Sequence, residues 1–399
     1  MTKSGRFMPH DTHMTLSSIK PILRTVAFIL LAALLAPPAC VRYQSSGGQA
    51  EPDDPYFANF PIYAELTPER AEITDNLSTY FERMNRAGFN GTVLFAENGE
   101  IVFAKAYGYC NLQQKDSLSL ESSFQLASVS KPITALAVLI LEEEKKLSVD
   151  DTITRYLPGL PYEGITIRHL LSHRSGLPNY MYFCEDYWTD KEGAVSNEEM
   201  IHLMIRHSPK RYYLPDRRYN YSNTNYALLA SIVERVSEMP FETFVKKRIF
   251  EPLQMKNAMI YNKAAQPSND NPVLGYVSSR LVAENSFLNG VVGDKGVYAS
   301  AFDLLKLDQA LYTDKLVSQE TLKKAFEPQH KDLRPNDNYG LGWRLDVSDE
   351  LNPVVYHTGW WKGFRTYFIR ELSEKRTIII LSNTLKASRF NTRELRELF

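Results

Sequence analysis

The sequence predicts an α+β fold in which helices flank an antiparallel sheet and an all-α lobe is inserted into the sheet domain. Three observations predict this class: an early helix followed by a β-hairpin, a mostly helical middle from about residue 148 to 260, and strand-rich segments near the carboxyl end. Antiparallel strands that follow a helix favour a layered α+β arrangement over a doubly wound parallel sheet. We expect one domain over residues 63–399.

The first predicted elements are a helix and a hairpin. The helix begins at Thr67-Pro68-Glu69, where a threonine cap precedes a proline at the first helical position. Apolar residues then recur at helical spacing, at Ile73, Leu77, Tyr80, Phe81 and Met84. In the segment FNGTVLFAENGEIVFAKAYGY, two β-rich runs flank Asn98-Gly99, which is a strong hairpin signal.

A second helix is predicted from Pro132 to Leu147, where apolar residues follow a helical period. Helical patterns continue through the lobe in ITIRHLLSHRSGL, NEEMIHLMIRH and YALLASIVERVSEM. Strand signals return in YGLGWRLDV, TYFIREL and RTIIILSN. The early hairpin and the late strands are therefore expected to share one sheet, which the helical lobe interrupts in sequence.

Composition limits the function classes. The chain has 399 residues, of which 44% are hydrophobic, enough for a large buried core. It carries 46 basic and 47 acidic side chains, and the basic ones are scattered, so no nucleic-acid partner is expected. The sequence has no CxxC, HExxH or glycine-rich phosphate loop, so we predict neither a metal nor a cofactor. We expect a small-molecule or peptide substrate and no obligate protein partner.

The amino terminus predicts export. Lys20 and Arg24 precede an apolar run of eleven residues, VAFILLAALLA. A bilayer crossing needs about twenty, so residues 1–39 are interpreted as a signal peptide. Ala39-Cys40 resembles the end of a bacterial lipoprotein signal, although Pro37 departs from that pattern. We expect a protein of the periplasm or cell envelope, lipid-anchored at Cys40 with residues 40–62 as a tether. Cleavage to a free secreted form is the alternative.

The segment LASVSKPI places Ser128 and Lys131 three residues apart at a helix start. On a helix, this spacing brings two Cβ atoms to within about 5–6 Å. A serine hydroxyl becomes a nucleophile when a base removes its proton, and a lysine can do so only if burial or nearby positive charge lowers its pKa. The helix amino end favours both a neutral lysine and a developing oxyanion. Alone, however, the pattern is commoner as an ordinary helix start.

A second candidate triplet, Tyr221-Ser222-Asn223, lies at a predicted junction between a loop and a helix. A cationic lysine nearby would lower the pKa of the Tyr221 phenol, so that the phenol could shuttle protons. The Asn223 amide could bond both that lysine and a substrate carbonyl. Taken alone, the triplet is commoner as a helix cap.

A third triplet, His357-Thr358-Gly359, occurs in VVYHTGWWKGF. A glycine at the end of an edge strand lets a substrate backbone approach closely. The amide of Trp360 could then pair with that of Ser128 to hold the oxyanion of an acyl-transfer intermediate. By itself, His357 would be interpreted as a surface histidine.

Together, the three triplets resemble the serine β-lactamase-related family, nearest the class C β-lactamases and D-Ala-D-Ala carboxypeptidases. S-x-x-K, a second polar triplet and K-T-G are the signature set of penicillin-interacting serine enzymes. The likeness covers about residues 65–399 and includes KLSVDDTITRYLP, ITIRHLLSHRSGLP, GVYASAFDLLKL and YGLGW. The resemblance implies a β-lactamase/transpeptidase-like fold.

The resemblance also implies roles. Ser128 would be the acylated nucleophile, Lys131 its activating partner, and Tyr221 the general base for acylation and for the deacylating water. Asn223 would position the substrate, and residues 357–359 would line the strand edge beside it. The family's lactamases carry a lysine at the position of His357, which is largely neutral at pH 7. We therefore expect an esterase or D-amino-acid peptidase rather than an efficient β-lactamase. A non-catalytic binding or sensing module is the alternative.

Overall fold

The structure is a computed structural model that describes residues 59–399 except 267, 269, 279 and 280. The predicted signal peptide, Cys40 and most of the predicted tether lie outside the described residues. Among the helices that the structure does describe, none has the length and apolar character needed to cross a membrane.

Fourteen strands are present in the described residues. In chain order they are β1 (Gly91–Glu97), β2 (Glu100–Tyr107), β3 (Tyr109–Asn111), β4 (Asp116–Ser117), β5 (Phe124–Gln125), β6 (Met259–Ile260), β7 (Tyr276–Ser278), β8 (Leu281–Val282), β9 (Val297–Ala299), β10 (Asn338–Tyr339), β11 (Arg344–Asp346), β12 (Val354–Trp361), β13 (Phe364–Glu371) and β14 (Arg376–Ser382). Seven of them form the main sheet, in the order β10-β11-β12-β13-β14-β1-β2.

The main sheet joins the two ends of the chain. β1 pairs antiparallel with β14, so that Gly91 lies opposite Ser382 and Glu97 opposite Arg376. The β1–β2 turn has the predicted hairpin geometry, because Asn98 and Gly99 both adopt positive φ angles, of 51° and 82°. These pairings confirm the predicted α+β class and the sharing of one sheet by early and late strands.

Ten α-helices surround the sheet in the described range. They are α1 (Pro68–Arg86), α2 (Ser130–Glu143), α3 (Ile167–Leu171), α4 (Tyr180–Tyr187), α5 (Asn197–His207), α6 (Asn223–Ser237), α7 (Phe241–Val245), α8 (Ala301–Ala310), α9 (Gln319–Ala325) and α10 (Thr392–Arg396). Shorter helical turns of the 3-10 or π type lie at Ala127–Val129, Ile153–Arg155, Lys246–Phe250, Phe287–Gly290 and Pro335–Asp337.

The first two predicted helices are confirmed with small shifts. Thr67 caps α1, and its hydroxyl accepts the Arg70 amide at 3.3 Å. α2 begins two residues earlier than predicted and ends at Glu143, before Leu147, since the chain reverses at Lys145 with a φ of 58°. The limits predicted for the helical lobe, about 148 to 260, remain a prediction.

Helix α2 begins two residues after the candidate nucleophile, Ser128, and is a buried element. Every residue from Ser130 to Leu141 is buried, so the helix is enclosed on all sides. α2 packs against α6, and the short turn that precedes it packs against β12 and β13. The amino end of α2 therefore lies between the helical region and the sheet.

Candidate active site

Ser128 is half-buried in the turn Ala127–Val129, directly before α2. Ala127 has a φ of 49°, a conformation that is strained for a residue with a Cβ atom. The turn is fixed to the sheet, because the Leu126 carbonyl accepts the Thr366 hydroxyl of β13 at 2.7 Å. A strained turn held in this way is often found at functional sites.

Gly359 permits this close contact between the turn and the sheet. A Cβ atom at Gly359 would lie 2.2 Å from the Leu126 carbonyl oxygen, so any larger residue would displace the turn. Gly359 is in the body of β12, which continues to Trp361. Gly359 therefore does not end the strand, although it lies on a stretch that β11 does not pair with; the backbone that it admits is that of the turn Ala127–Val129, which carries the candidate nucleophile.

Lys131 is one helical turn after Ser128 and is fully buried. Its Nζ atom donates to Ser128 Oγ at 2.9 Å and to the backbone carbonyl of Asp294 at 2.9 Å. Burial lowers the pKa of Lys131 to about 7; the positive charge of Arg344 also lowers it, while the Asp294 carboxylate raises it. A substantial fraction of this amine is therefore neutral at physiological pH and can accept a proton.

Tyr221 also lies beside the Ser128 hydroxyl. Its phenol hydrogen-bonds with Ser128, and its ring centroid lies 5.0 Å from Lys131 Nζ. Burial raises the pKa of Tyr221 to about 12, although the Ser128 contact and Arg344 lower it in part. The predicted downward shift is wrong, because loss of solvation outweighs the favourable contacts. Tyr221 is thus a neutral phenol near pH 7.

Asn223 is the first residue of α6 and lies near the site without bonding Lys131. Its Nδ2 atom donates to Met181 Sδ at 3.3 Å. Its Oδ1 atom is buried and has no hydrogen-bond partner among the described residues. The predicted bond between Asn223 and the lysine is absent from the structure, since Lys131 donates to Ser128 and Asp294 instead.

His357 is completely buried in β12, so the surface interpretation of this residue is wrong. Its Nδ1 atom lies 2.9 Å from the Thr358 carbonyl, which can only accept, so Nδ1 carries the proton. Its Nε2 atom then accepts the Tyr339 hydroxyl at 3.1 Å. Burial, together with the charges of Arg344 and Lys131, holds the pKa of His357 well below its usual value. His357 is therefore neutral.

The remaining predicted residues lie further along β12. Thr358 is half-buried, whereas 63% of the Trp360 side chain is exposed. β11 pairs with β12 only at residues 354–356, so the stretch from His357 to Trp361 lies beyond that pairing. The use of the Trp360 and Ser128 amides to hold an oxyanion remains a prediction.

Two charged residues in the site have no individual role in the sequence analysis. Arg344 in β11 lies with its guanidinium 5.5 Å from the Tyr221 ring, and its Nε atom is buried without a partner among the described residues. Asp294 is buried, and its carboxylate accepts the Tyr180 hydroxyl at 3.1 Å and pairs with Lys295 at 3.7 Å. Arg344 is distant in sequence from Tyr221, which it contacts, and Asp294 is distant in sequence from Lys131.

Comparison with known proteins identifies the family. A model of the Beta-lactamase family matches residues 78–398. The chain belongs to this family. A penicillin-binding protein of Bacillus subtilis (strain 168) is 38% identical to this Beta-lactamase family chain over 322 residues, which cover 77% of the chain and 71% of the relative. The predicted resemblance is confirmed.

Two solved structures share the fold of this Beta-lactamase family chain. A penicillin-binding protein from Bacillus halodurans has a TM-score of 0.68 at 23% identity, over 83% of this chain and 98% of its own. D-amino acid amidase from Ochrobactrum anthropi SV3 has a TM-score of 0.66 at 22% sequence identity, over 83% of this chain and 96% of the amidase chain. They confirm the β-lactamase/transpeptidase-like fold. The Beta-lactamase family chain is a serine hydrolase.

Proposed function

We propose that this serine hydrolase cleaves an amide or ester bond through an acyl-enzyme intermediate on Ser128. The observation that carries the proposal is the 2.9 Å contact between Lys131 Nζ and Ser128 Oγ, made by an amine whose pKa is about 7. A neutral amine at this distance can remove the proton of the hydroxyl as the oxygen attacks a carbonyl carbon.

The proton then has a route to the leaving group. Lys131 takes the proton of Ser128 Oγ and becomes an ammonium. The Tyr221 phenol, which contacts the same oxygen, gives its proton to the departing amine or alkoxide and regains one from Lys131. A phenol with a pKa of about 12 is rarely ionised near neutrality. We therefore assign removal of the Ser128 proton to Lys131, and transfer of a proton to the leaving group to Tyr221.

Deacylation repeats these steps with water. Water attacks the ester carbonyl on Ser128, and neutral Lys131 accepts one of its protons. The Ser128–acyl bond then breaks, Ser128 Oγ takes the proton of the Tyr221 phenol, and the phenol regains one from Lys131. The same two side chains serve both half-reactions, so loss of either should slow acylation and deacylation together.

The substrate class follows from the charges around the site. We propose an ester or a D-amino-acid peptide rather than a β-lactam as the efficient substrate. His357 is neutral, so it lacks the permanent charge of a lysine there. A D-amino acid amidase shares the fold. Arg344 supplies a cation near Tyr221, which favours a substrate with a free carboxylate.

Turnover of three substrates tests whether Ser128 is the nucleophile and which substrate class the protein hydrolyses. We expect repeated turnover of p-nitrophenyl acetate or of a D-Ala-D-Ala peptide, slow hydrolysis of a chromogenic cephalosporin, and loss of all activity in Ser128→Ala. Ser130→Ala, which removes a neighbouring hydroxyl that accepts the Val297 amide, is the matched control and should remain active. Equal labelling of the wild type and Ser128→Ala by an acylating probe would reject the nucleophile, and a single acylation without turnover would favour a binding module.

A second measurement tests whether Arg344 binds the free carboxylate of the substrate. The wild type should hydrolyse a D-Ala-D-Ala peptide with a free carboxylate faster than its carboxyl-terminal amide. At a pH well above the Lys131 midpoint, where Lys131 is neutral in both proteins, Arg344→Gln should lower kcat/KM for the free acid by roughly 10–100-fold, as expected for loss of a charge-assisted contact, and leave kcat/KM for the amide nearly unchanged. An equal loss for both would place the effect of Arg344 elsewhere.

We also propose that the protein is exported and anchored by a lipid on Cys40, as the amino-terminal sequence suggests. In a bacterial host, the mature protein should fractionate with membranes and carry a lipid-modified amino-terminal cysteine detectable by mass spectrometry. Cys40→Ser should abolish the modification, whereas Cys184→Ser, at a free buried thiol, should not. Recovery of Cys40 as a free thiol or in a disulfide would contradict the anchor.

A further inference from the structure

We propose that His173 is a positioning residue that fixes the backbone and the ring of Tyr221. This inference rests on the proposed role of Tyr221 in proton transfer. His173 lies in the loop after α3, is fully buried, and is separated from Tyr221 by nearly fifty residues of sequence. It touches neither Ser128 nor Lys131 through any hydrogen bond in the described residues, so its action would pass through Tyr221.

One residue holds the amides on both sides of Tyr221. The His173 carbonyl accepts the amide of Asn220 at 2.8 Å, and its Nδ1 atom accepts the amide of Ser222 at 3.3 Å. His173 has a φ of 58°, in the left-handed region that a non-glycine residue adopts at a cost in free energy. The backbone at Tyr221 is thus fixed from before and after by a single strained residue.

The imidazole also packs on the phenol ring. The ring centroids of His173 and Tyr221 lie 4.2 Å apart at an angle of 35°. The ring of Tyr339 lies 4.8 Å from His173, and that of Tyr226 lies 5.2 Å away. Tyr221 therefore cannot tilt toward His173 without displacing a ring that is itself enclosed by aromatic groups.

The hydrogen bonds define the tautomer of His173. Asn225 Oδ1 accepts the Ser175 hydroxyl at 2.6 Å, which leaves Asn225 Nδ2 to donate to His173 Nδ1 at 3.1 Å. With two donors directed at it, Nδ1 is an acceptor, and the proton of the neutral ring is on Nε2. Nε2 is buried and has no hydrogen-bond partner among the described residues.

This unpaired Nε2–H indicates which property of the His173 imidazole matters to the site. A buried donor without an acceptor costs free energy, and an apolar ring would pack in its place without that cost. What an apolar ring cannot supply is the Nδ1 acceptor for the Ser222 amide. The acceptor, and not the packing, is therefore the property of His173 that the site uses.

The experiment separates the acceptor from the packing. His173→Phe keeps an aromatic ring and removes the acceptor; His173→Asn keeps an acceptor near the position of Nδ1 and tolerates a positive φ. We expect His173→Phe to lower kcat for p-nitrophenyl acetate by roughly 10–100-fold with KM nearly unchanged, because small misplacements of a reacting group are costly. His173→Asn should recover most of that loss.

A matched control lies on the neighbouring helix. His169 Nδ1 accepts the Thr166 amide at 3.2 Å in the same way, within the amino-terminal cap of α3. His169→Phe removes a comparable acceptor that has no hydrogen bond or ring contact with Tyr221 in the described residues, so it should change thermal stability without changing kcat. Equal losses of kcat in His169→Phe and His173→Phe would overturn the inference.

A double-mutant cycle with Tyr221→Phe provides the decisive test. If His173 acts through the Tyr221 phenol, His173→Phe should cause no further loss in the Tyr221→Phe background, and independent, multiplicative losses would overturn the inference. If His173→Phe does not fold, the cycle with His173→Asn decides in the same way. Activity that survives Ser128→Ala would instead reject the proposed function itself.

Discussion

At the scale of single residues, the charges around Lys131 determine when Ser128 can react. Lys131 activates Ser128 only as a neutral amine, so the acylation rate should rise with pH through a midpoint near its pKa of about 7. The positive charge of Arg344 lowers this pKa, and the Asp294 carboxylate raises it. Arg344→Gln should therefore move the midpoint to higher pH, and Asp294→Asn should move it to lower pH. The measurement is the burst rate with p-nitrophenyl acetate across neutrality.

An exposed cation provides the control for this pH prediction. Arg155, paired with Asp151, has a solvent-exposed side chain and is not among the charges that shift the pKa of Lys131. Arg155→Gln should leave the midpoint in place. If Arg344→Gln and Asp294→Asn move the midpoint in the same direction, the rise of the acylation rate with pH does not report the titration of Lys131.

The sequence predicts which chemical groups are in the site better than it predicts their environment. Ser128 and Lys131 are recognisable because their contact needs only one turn of helix. The partners of Lys131 and Tyr221 are different: Asp294 lies 163 positions from Lys131 in sequence, and the pKa of Tyr221 depends on burial by several distant elements. Local sequence pattern contains neither kind of information, so the predicted direction of the Tyr221 pKa shift is wrong.

At the scale of elements, one buried ion pair joins helix α8 to the sheet. Arg370 of β13 and Asp308 of α8 approach to 2.5 Å, and neither side chain is exposed to solvent. Asp308 also accepts the Thr377 hydroxyl of β14 at 2.8 Å. Asp308→Ala should lower the free energy of unfolding by about 3–5 kcal/mol, because it leaves the Arg370 guanidinium buried without its counterion. Urea denaturation measures this loss.

The contrasting surface pair is Glu320 with Lys324, spaced four residues apart on α9. Glu320→Gln should leave the urea midpoint unchanged, since solvent screens an exposed pair. The double variant Asp308→Leu, Arg370→Met should recover much of the stability lost in Asp308→Ala. If Asp308→Ala were as stable as the wild type, the pair of Asp308 and Arg370 would not hold α8 to the sheet.

The predictability of an element depends on how much of its stability is local. α2 and the β1–β2 hairpin were identified because a long apolar period and an Asn-Gly turn specify them nearly alone. α10 has five residues and α9 has seven, below the length at which helices are stable without tertiary packing. Such helices depend on contacts that the segment itself does not encode, which is why neither was predicted from the sequence.

At the scale of the whole molecule, the sheet separates two apolar cores. Successive residues of β1 alternate between them: Leu94 and Ala96 belong to the larger core, whereas Val93 and Phe95 belong to the smaller one. The larger core contains α2 and the nucleophile turn. The smaller core is covered by the first helix and the last, so the two ends of the described chain close the face of the sheet opposite the active site.

This separation predicts that stability and activity can be changed independently. Leu395 of α10 is fully buried in the smaller core, so Leu395→Ala should lower the free energy of unfolding by about 2–5 kcal/mol. Below its melting transition, however, the variant should keep the wild-type kcat, because the sheet intervenes between Leu395 and Ser128. Leu136→Ala, a matched truncation at a fully buried position of α2, should lose both stability and activity. Thermal melts combined with steady-state ester hydrolysis distinguish the two variants. Loss of kcat in folded Leu395→Ala would show that the two faces of the sheet are coupled, so that the helices closing the far face help to hold the nucleophile turn in place.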